Sequence, residues 1–171
     1  MTTELAPGRY TLDPAASTVV FRRKSLWGLV TVRGGFSSIA GTGEVAADGT
    51  GHGTLTIGAA SLDTRNAQRD KHLRSKDFFE VDGFPEITFE ATRIAPTGDG
   101  AAQVEGELTV RGTSSKLAMP AQVETQGTDS VVLRATVEVD QTEFGMTWNR
   151  LGIMGGHPTV LDLQLRFTAA A

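Results

Sequence analysis

Residues 86–94 read EITFEATRI, and the strict alternation of apolar and polar side chains in this segment decides the fold class. Ile87, Phe89 and Ala91 fall on one face, and the residues between them are glutamate or threonine. Successive side chains of a β-strand point to opposite faces of its sheet, so this alternation is typical of a strand with one buried face. The segment therefore predicts a half-buried antiparallel strand.

The same alternation recurs on both sides of this segment. Further strands are predicted at residues 8–12, 18–24, 29–36, 41–47, 54–60, 104–111, 117–124, 131–139 and 161–167. Short polar turn signals separate several of them, at residues 48–49, 97–100 and 127–129. An open sheet of about eight to ten strands with one apolar face is unstable, so the strands must form a sandwich or close into a barrel.

Size and composition favour one domain and exclude several functions. The chain has 171 residues, 39% of them hydrophobic, which predicts a single domain over residues 1–171. A net charge of -4 argues against nucleic acid as a partner. With no run of about eighteen apolar residues, we expect no stable membrane insertion. The N-terminus lacks the basic and apolar regions of a secretory signal, so we expect a cytoplasmic protein.

Residues 65–80, RNAQRDKHLRSKDFFE, are the one charged and helix-prone segment among the predicted strands. Asn66 is suited to cap a helix, and Asp70 and Arg74 lie four residues apart, where they are predicted to form an ion pair on one helical face. Phe78 and Phe79 follow directly and must be buried. The segment predicts one short helical region near residues 66–80, with its charges facing water.

The inward faces of the strands mix large apolar residues with small ones. The small ones are Gly34, Ala59, Ala91, Gly106, Ala121 and Ala135. Two interpretations follow: a packed sandwich core in which phenylalanines fill the space, or a hollow barrel in which small residues leave room for a ligand. No charged residue shares the apolar face at the centre of a strand, so a cavity would be lined by aliphatic and aromatic residues, with polar contacts at its mouth.

Sequence motifs for catalysis or metal binding are missing. The three histidines, His52, His72 and His157, lack metal-site spacing, and no cysteine is present. Neither a phosphate-binding loop nor a nucleophile-elbow motif occurs. We therefore predict no catalytic residue, no metal and no cofactor. A second unusual segment, residues 144–157, combines four glycines with apolar residues such as Trp148, and it favours either a packed loop or dimer contact, or one wall of a cavity entrance.

Several motifs, in their order and spacing, resemble one known family. They are Tyr10-Thr11-Leu12-Asp13-Pro14, Val32-Arg33-Gly34-Gly35-Phe36, the run Arg69-Asp70, His72-Leu73 and Asp77-Phe78-Phe79, then Phe84-Pro85-Glu86-Ile87-Thr88-Phe89, and Leu108-Thr109-Val110-Arg111-Gly112. Together they are similar to the YceI family of lipocalin-like, polyisoprenoid-binding proteins. The sequence departs from that family at Tyr10, where tryptophan is common, and at Gln141, where arginine is expected; it also lacks the export signal of some relatives.

The resemblance implies an all-β fold, an extended antiparallel lipocalin-like barrel whose cavity holds an isoprenoid lipid or isoprenoid quinone, with the helical segment capping or flanking it. On this basis, the predicted cavity lining is Phe21, Val32, Phe36, Leu55, Ile57, Phe79, Phe89, Leu108, Leu133, Phe144, Trp148, Leu163 and Leu165. Arg69, His72 and Arg74 are the candidates for contact with a ligand head group. The expected function is non-enzymatic binding, storage or transport. The alternative is a stress-responsive interaction module with a vestigial cavity that uses residues 144–157 as its interface.

Overall fold

The computed structural model describes residues 5–25, 30–145 and 158–170. Within these residues the chain forms eleven β-strands, one α-helix and three short 3₁₀ turns. The strands are β1 Gly8–Leu12, β2 Thr18–Ser25, β3 Val30–Phe36, β4 Ile39–Val45, β5 Gly51–Gly58, β6 Leu62–Asp63, β7 Glu86–Gly98, β8 Ala101–Val110, β9 Thr113–Thr125, β10 Ser130–Val139 and β11 Thr159–Ala169, and the helix is α1 Ala67–Leu73. None of the helical segments described is both long and apolar enough to cross a membrane.

Among the described strands, eight form a closed antiparallel barrel in the order β1-β4-β5-β7-β8-β9-β10-β11. The ring closes where β11 pairs with β1, with Tyr10 opposite Ala169. The first half of β11 pairs instead with β2, with Leu161 opposite Phe21, and β2 continues into β3 and β6. These extra strands extend the barrel at one end, so the predicted lipocalin-like architecture is confirmed.

The two ends of the barrel are built differently, and we name them by their contents. The helix end contains α1, the turn between β8 and β9, and the 3₁₀ turn Gln141–Phe144. The acidic end contains the turns at residues 46–50, 98–100 and 126–129, with Asp48 and Asp99 at their tips. Each long strand from β7 to β11 runs between these ends, so the barrel interior, here called the lumen, connects them.

Tight hairpins join the long strands at both ends. Asp99 and Gly100, between β7 and β8, have φ of 51° and 75°, and Arg111 and Gly112, between β8 and β9, have φ of 52° and 70°. Two consecutive residues with positive φ match the right-handed twist of the flanking strands. The first turn was predicted from its glycines. The second was not, since Arg111 was assigned to a strand that ends at Val110.

The strand residues that face the lumen also form the hydrophobic core. In β8, Ala102, Val104 and Leu108 are buried while Glu105 and Glu107 are exposed, as alternation requires. Burial of one large aliphatic side chain contributes about 1.5–3 kcal/mol. The barrel wall is therefore stabilised by the same side chains that shape its interior.

Candidate functional site

The lumen is hollow. The described residues enclose a cavity of about 970 Å³, at the upper end of the roughly 300–1,000 Å³ that small-molecule pockets usually occupy. Most side chains along it are aliphatic or aromatic. The predicted residues that border it are Phe21, Val32, Phe36, Leu55, Ile57, Phe79, Phe89, Leu108, Leu133, Phe144, Leu163 and Leu165. Trp148 lies outside the described residues, and contact of any of these side chains with a ligand stays a prediction.

Phenylalanine rings in the half of the lumen near the helix end lie over glycines. A Cβ atom on Gly34 would come within 2.6 Å of the Phe21 ring, and one on Gly106 would clash with the Glu90 backbone oxygen and come within 2.8 Å of the Phe89 ring. These two glycines therefore accommodate rings and do not leave empty volume, which corrects the expectation for them. Phe36 packs against Phe21 with ring centroids 5.5 Å apart, so aromatic side chains form a continuous surface there.

The helix begins as the sequence predicts and is then held by a buried carboxylate. The side chain of Asn66 caps α1 by accepting a hydrogen bond from the Arg69 N–H at 3.0 Å. Asp70, however, is 5% exposed and accepts hydrogen bonds from the backbone N–H and the hydroxyl of Thr64. The expectation that the charges of this segment face water is wrong for Asp70, which fastens α1 to the residue after β6.

The predicted ion pair between Asp70 and Arg74 does not occur among the ion pairs of the described residues, because each side chain has another partner. Arg74 donates to the backbone carbonyls of Ala60 at 3.1 Å and Leu62 at 2.8 Å. The described residues along the cavity do not include Arg74. Of the three head-group candidates, it is the one placed away from the lumen, where it ties the segment to the backbone of Ala60 and of Leu62, the first residue of β6.

Arg69 and His72 do border the helix end of the lumen. Arg69 donates from Nε to the Thr64 hydroxyl and from Nη2 to the Thr64 carbonyl, both at 2.8 Å. His72 Nε2 lies 2.7 Å from Asp77 Oδ2, and the His72 ring meets Phe78 edge to face. Both residues thus have structural partners, and any additional contact with a head group stays a prediction.

Three polar residues at the helix end were absent from the predicted site. Arg23, Gln141 and Thr159 all border the cavity. Arg23 follows Val19 and Phe21 at two-residue spacing, so it shares their lumen-facing side of β2. That spacing is visible in the sequence, and the place of Arg23 near the end of β2 agrees with the expectation of polar contacts at the mouth of the cavity. The Thr159 hydroxyl donates to Gln141 Oε1 at 3.1 Å, and Gln141 is 6% exposed.

Burial and a carboxylate act in opposite directions on Arg23. Half-burial of the guanidinium lowers its pKa, and the nearby carboxylate of Asp140 partly offsets that effect. Hydrogen bonds from the hydroxyl and N–H of Thr142 lower the pKa of Asp140 itself, so this carboxylate is charged at neutral pH. Arginine nevertheless stays protonated in proteins. Arg23 therefore contributes a fixed positive charge to the helix end of the lumen, near the exposed carboxylate of Asp140.

The opposite end of the cavity carries carboxylates. Glu44, Asp48 and Asp99 border it there. Glu44 pairs with Arg9 at 3.4 Å and lies 3.1 Å from His52, with all three side chains well exposed. Hydrogen bonds from the hydroxyl and N–H of Thr50 lower the pKa of Asp48. In the described part of the chain, no group of three or more histidine and acidic side chains is arranged to hold a metal ion.

The apolar segment 144–157 is described only at its start. Phe144 ends the 3₁₀ turn Gln141–Phe144, is 2% exposed and borders the lumen. Gly145 follows with φ 79° and ends that turn. Residues 146–157 lie outside the described residues. The prediction that this segment forms an entrance wall or a dimer contact therefore stays a prediction.

Residues 10–169, which include the entire barrel ring apart from the first residues of β1, match the YceI-like domain family. The chain belongs to the YceI family. It is also 36% identical over 116 residues to the UPF0312 protein of Pseudomonas savastanoi pv. phaseolicola, an alignment that covers 66% of this chain and 59% of that relative. The chain thus spans less than two thirds of the length of the curated relatives it matches.

Solved structures share the YceI fold at low sequence identity. The crystal structure of Burkholderia cenocepacia BcnA matches with a TM-score of 0.81 and 22% identity, covering 91% of this chain and 98% of that one. A structure described as a polyisoprenoid binding domain from Saccharophagus degradans matches with a TM-score of 0.74 and 16% identity, covering 94% and 98%. At these identities the likeness shows the fold.

Proposed function

We propose that this protein binds a polyisoprenoid lipid or an isoprenoid quinone in its lumen and acts in storage or transport, without catalysis. The observation that carries the proposal is the cavity of about 970 Å³ with its mostly apolar lining. Membership of the YceI family and the likeness to a polyisoprenoid binding domain support it. A hydrocarbon chain is the ligand whose surface best matches such a lining.

Transfer of the ligand chain out of water supplies the affinity in this proposal. Each methylene removed from water contributes about 0.8 kcal/mol, so a chain of about fifteen carbons contributes about 12 kcal/mol before the costs of association. Those costs are of the order of 4–15 kcal/mol, and a longer chain offsets them more fully. The mechanism therefore predicts that affinity rises with the number of isoprene units until the lumen is full.

Three polar side chains at the helix end suit binding and not proton transfer, and His72, which also borders the lumen there, has Asp77 as its partner. Arginine, glutamine and threonine have no protonation change near neutral pH, so Arg23, Gln141 and Thr159 offer no general base. They can hold or orient a ligand. This chemistry favours a binding protein over an enzyme that acts on an isoprenoid.

Native mass spectrometry of gently purified protein tests the proposal. We expect a bound mass that lipid extraction of the same sample identifies as a prenyl lipid or quinone, and we expect stripped protein to take up added ubiquinone with a long prenyl tail. A linear fatty acid of equal carbon number is the comparison ligand. Protein that is free of ligand and takes up no prenyl compound would contradict the proposal.

A further inference from the structure

Charge is distributed unequally along the lumen. At the helix end, Arg23 contributes a guanidinium from the lumen face of β2, and Arg69 borders the cavity from α1. At the acidic end, the bordering charged groups include Glu44, Asp48 and Asp99. The Arg23 charge is partly buried next to apolar side chains and is less screened than a charge in water, whereas the carboxylates at the acidic end are exposed. An elongated ligand with one polar terminus is therefore expected to bind in one orientation.

The polar side chains that border the lumen at the helix end offer mainly hydrogen-bond donors. A guanidinium carries five N–H donors and no acceptor. The amide oxygen of Gln141 already accepts from the Thr159 hydroxyl, and the rest of that amide is an NH₂ group, which donates. Gln141 is 6% exposed, so its orientation is set within the protein. Groups of this kind recognise oxygen atoms that accept hydrogen bonds.

The strand register brings these residues together. β2 and β11 pair with Val160 opposite Arg22, so Thr159 starts β11 beside the position of Arg23. Thr159 in turn pairs with Val139, two residues before Gln141. The carboxylate of Asp140 acts on the Arg23 charge, but it is exposed and accepts from Thr142. The donors of Arg23 and Gln141 thus lie where the lumen meets the helix end, with Thr159 between their strands.

We propose that Arg23 and Gln141, with Thr159 orienting the Gln141 amide, form a head-group subsite at the helix end of the lumen, which takes a head group with hydrogen-bond-accepting oxygens, such as a phosphate or a quinone carbonyl. This inference rests on the proposed function, because it concerns one end of the same cavity. It adds the chemistry of the head group and the direction in which the ligand lies. The hydrocarbon tail points to the acidic end.

Replacement of the arginine tests the subsite with three probes of similar chain type: farnesyl phosphate, ubiquinone with two isoprene units, and farnesane, which has no head group. We expect Arg23→Met to lower the affinity for farnesyl phosphate about 10- to 100-fold and the affinity for the quinone about 3- to 10-fold. The phosphate loses more because hydrogen bonds to ionised acceptors are stronger than those to neutral ones. The affinity for farnesane should change by less than about twofold. Displacement of a fluorescent apolar probe measures all three.

Arg22→Met is the matched control, since Arg22 is the neighbouring residue on the outer face of β2 and pairs there with Asp162 at 3.2 Å. It should leave all three affinities unchanged, and Arg23→Lys should keep part of the phosphate affinity. Equal loss of all three probes in Arg23→Met, or no loss of farnesyl phosphate, would overturn the subsite. If the unsubstituted protein binds none of the probes, the proposed function fails as well.

A second measurement tests the direction of binding. The chain contains no cysteine, so a single introduced cysteine reports on one position. Leu161→Cys places a thiol in the lumen near the helix end, and Thr125→Cys places one near the acidic end. Farnesyl phosphate should slow thiol modification at position 161 about tenfold and leave position 125 within about twofold. The reverse pattern would overturn the proposed orientation.

Discussion

The helix end and the acidic end close the same ring of strands by different means. At the acidic end, backbone pairing between β11 and β1 closes the ring, with Tyr10 opposite Ala169. At the helix end β11 pairs with β2 instead, and α1 is held beside these strands by side chains, above all by Asp70 bound to Thr64. The comparison shows that closure of the acidic end depends on strand register, whereas the structure of the helix end depends on a few buried polar contacts.

The first prediction concerns the space between the ends. Ala135 faces the lumen in β10, opposite Leu163, so Ala135→Trp should fill the cavity near its middle. We expect uptake of a prenyl quinone to fall about 100-fold or more, because the chain can no longer extend from one end to the other. The free energy of unfolding should change by less than about 1.5 kcal/mol, since the ring enters existing space.

Glu138→Trp is the control for this prediction, because Glu138 lies on the same strand and is exposed. It adds the same side chain to the outside of the barrel and should leave uptake unchanged. Uptake by Ala135→Trp equal to that of the unsubstituted protein would show that the ligand does not occupy the lumen.

The second prediction concerns a substitution that removes contacts at the helix end alone. Asp70→Ala removes the acceptor of two Thr64 hydrogen bonds in a buried place, and we expect a loss of about 2–4 kcal/mol in the free energy of unfolding. Asp77→Ala is the matched control on the same segment. Its partner His72 lies 2.7 Å away, but both side chains are partly exposed, so the loss should stay below about 1 kcal/mol.

Urea denaturation measures both variants. Equal losses for the two substitutions would contradict the view that buried contacts hold the helix end.

The third prediction, which has the smallest expected effect on stability, concerns Tyr10 at the acidic end. Burial raises the pKa of the Tyr10 hydroxyl, and the Asp129 carboxylate adds to this; the hydroxyl lies 2.6 Å from the Ala6 carbonyl oxygen. Because the pKa is raised in the folded state, the associated stability is present below pH about 10 and is lost as the pH rises through the folded-state pKa. Tyr10→Phe should remove this loss.

Tyr10 is the one tyrosine of the chain, so tyrosinate absorbance reports its pKa directly. Thermal unfolding between neutral and strongly alkaline pH measures the effect on stability. A Tyr10 pKa at or below the ordinary value would contradict the burial of its hydroxyl.

Much of the barrel could be predicted from the sequence because alternation is a local property. Segments such as residues 86–94 carry one apolar and one polar face, and the structure buries Ile87 and Ala91 from that apolar face as expected. The helix start was equally local, since Asn66 needed only the N–H of Arg69. Features decided by neighbours in sequence were predictable.

Features decided by strand register and by tertiary partners were not. The ring of Phe89 covers Gly106 because β7 pairs with β8 in one register, which alternation does not specify. Asp70 turns to Thr64, six residues earlier, because the approach of α1 to β6 places them together. Arg23 is the exception, since its spacing from Phe21 predicts a place in the lumen.

A crystal structure of the protein purified from its native host, without removal of lipid, tests the central claim most directly. We predict continuous elongated density along the lumen, with an oxygen-bearing head group beside Arg23 and an apolar tail that runs toward the acidic end. Density in the opposite direction would contradict the head-group subsite. A lumen filled by its own side chains or by ordered water would contradict the account as a whole.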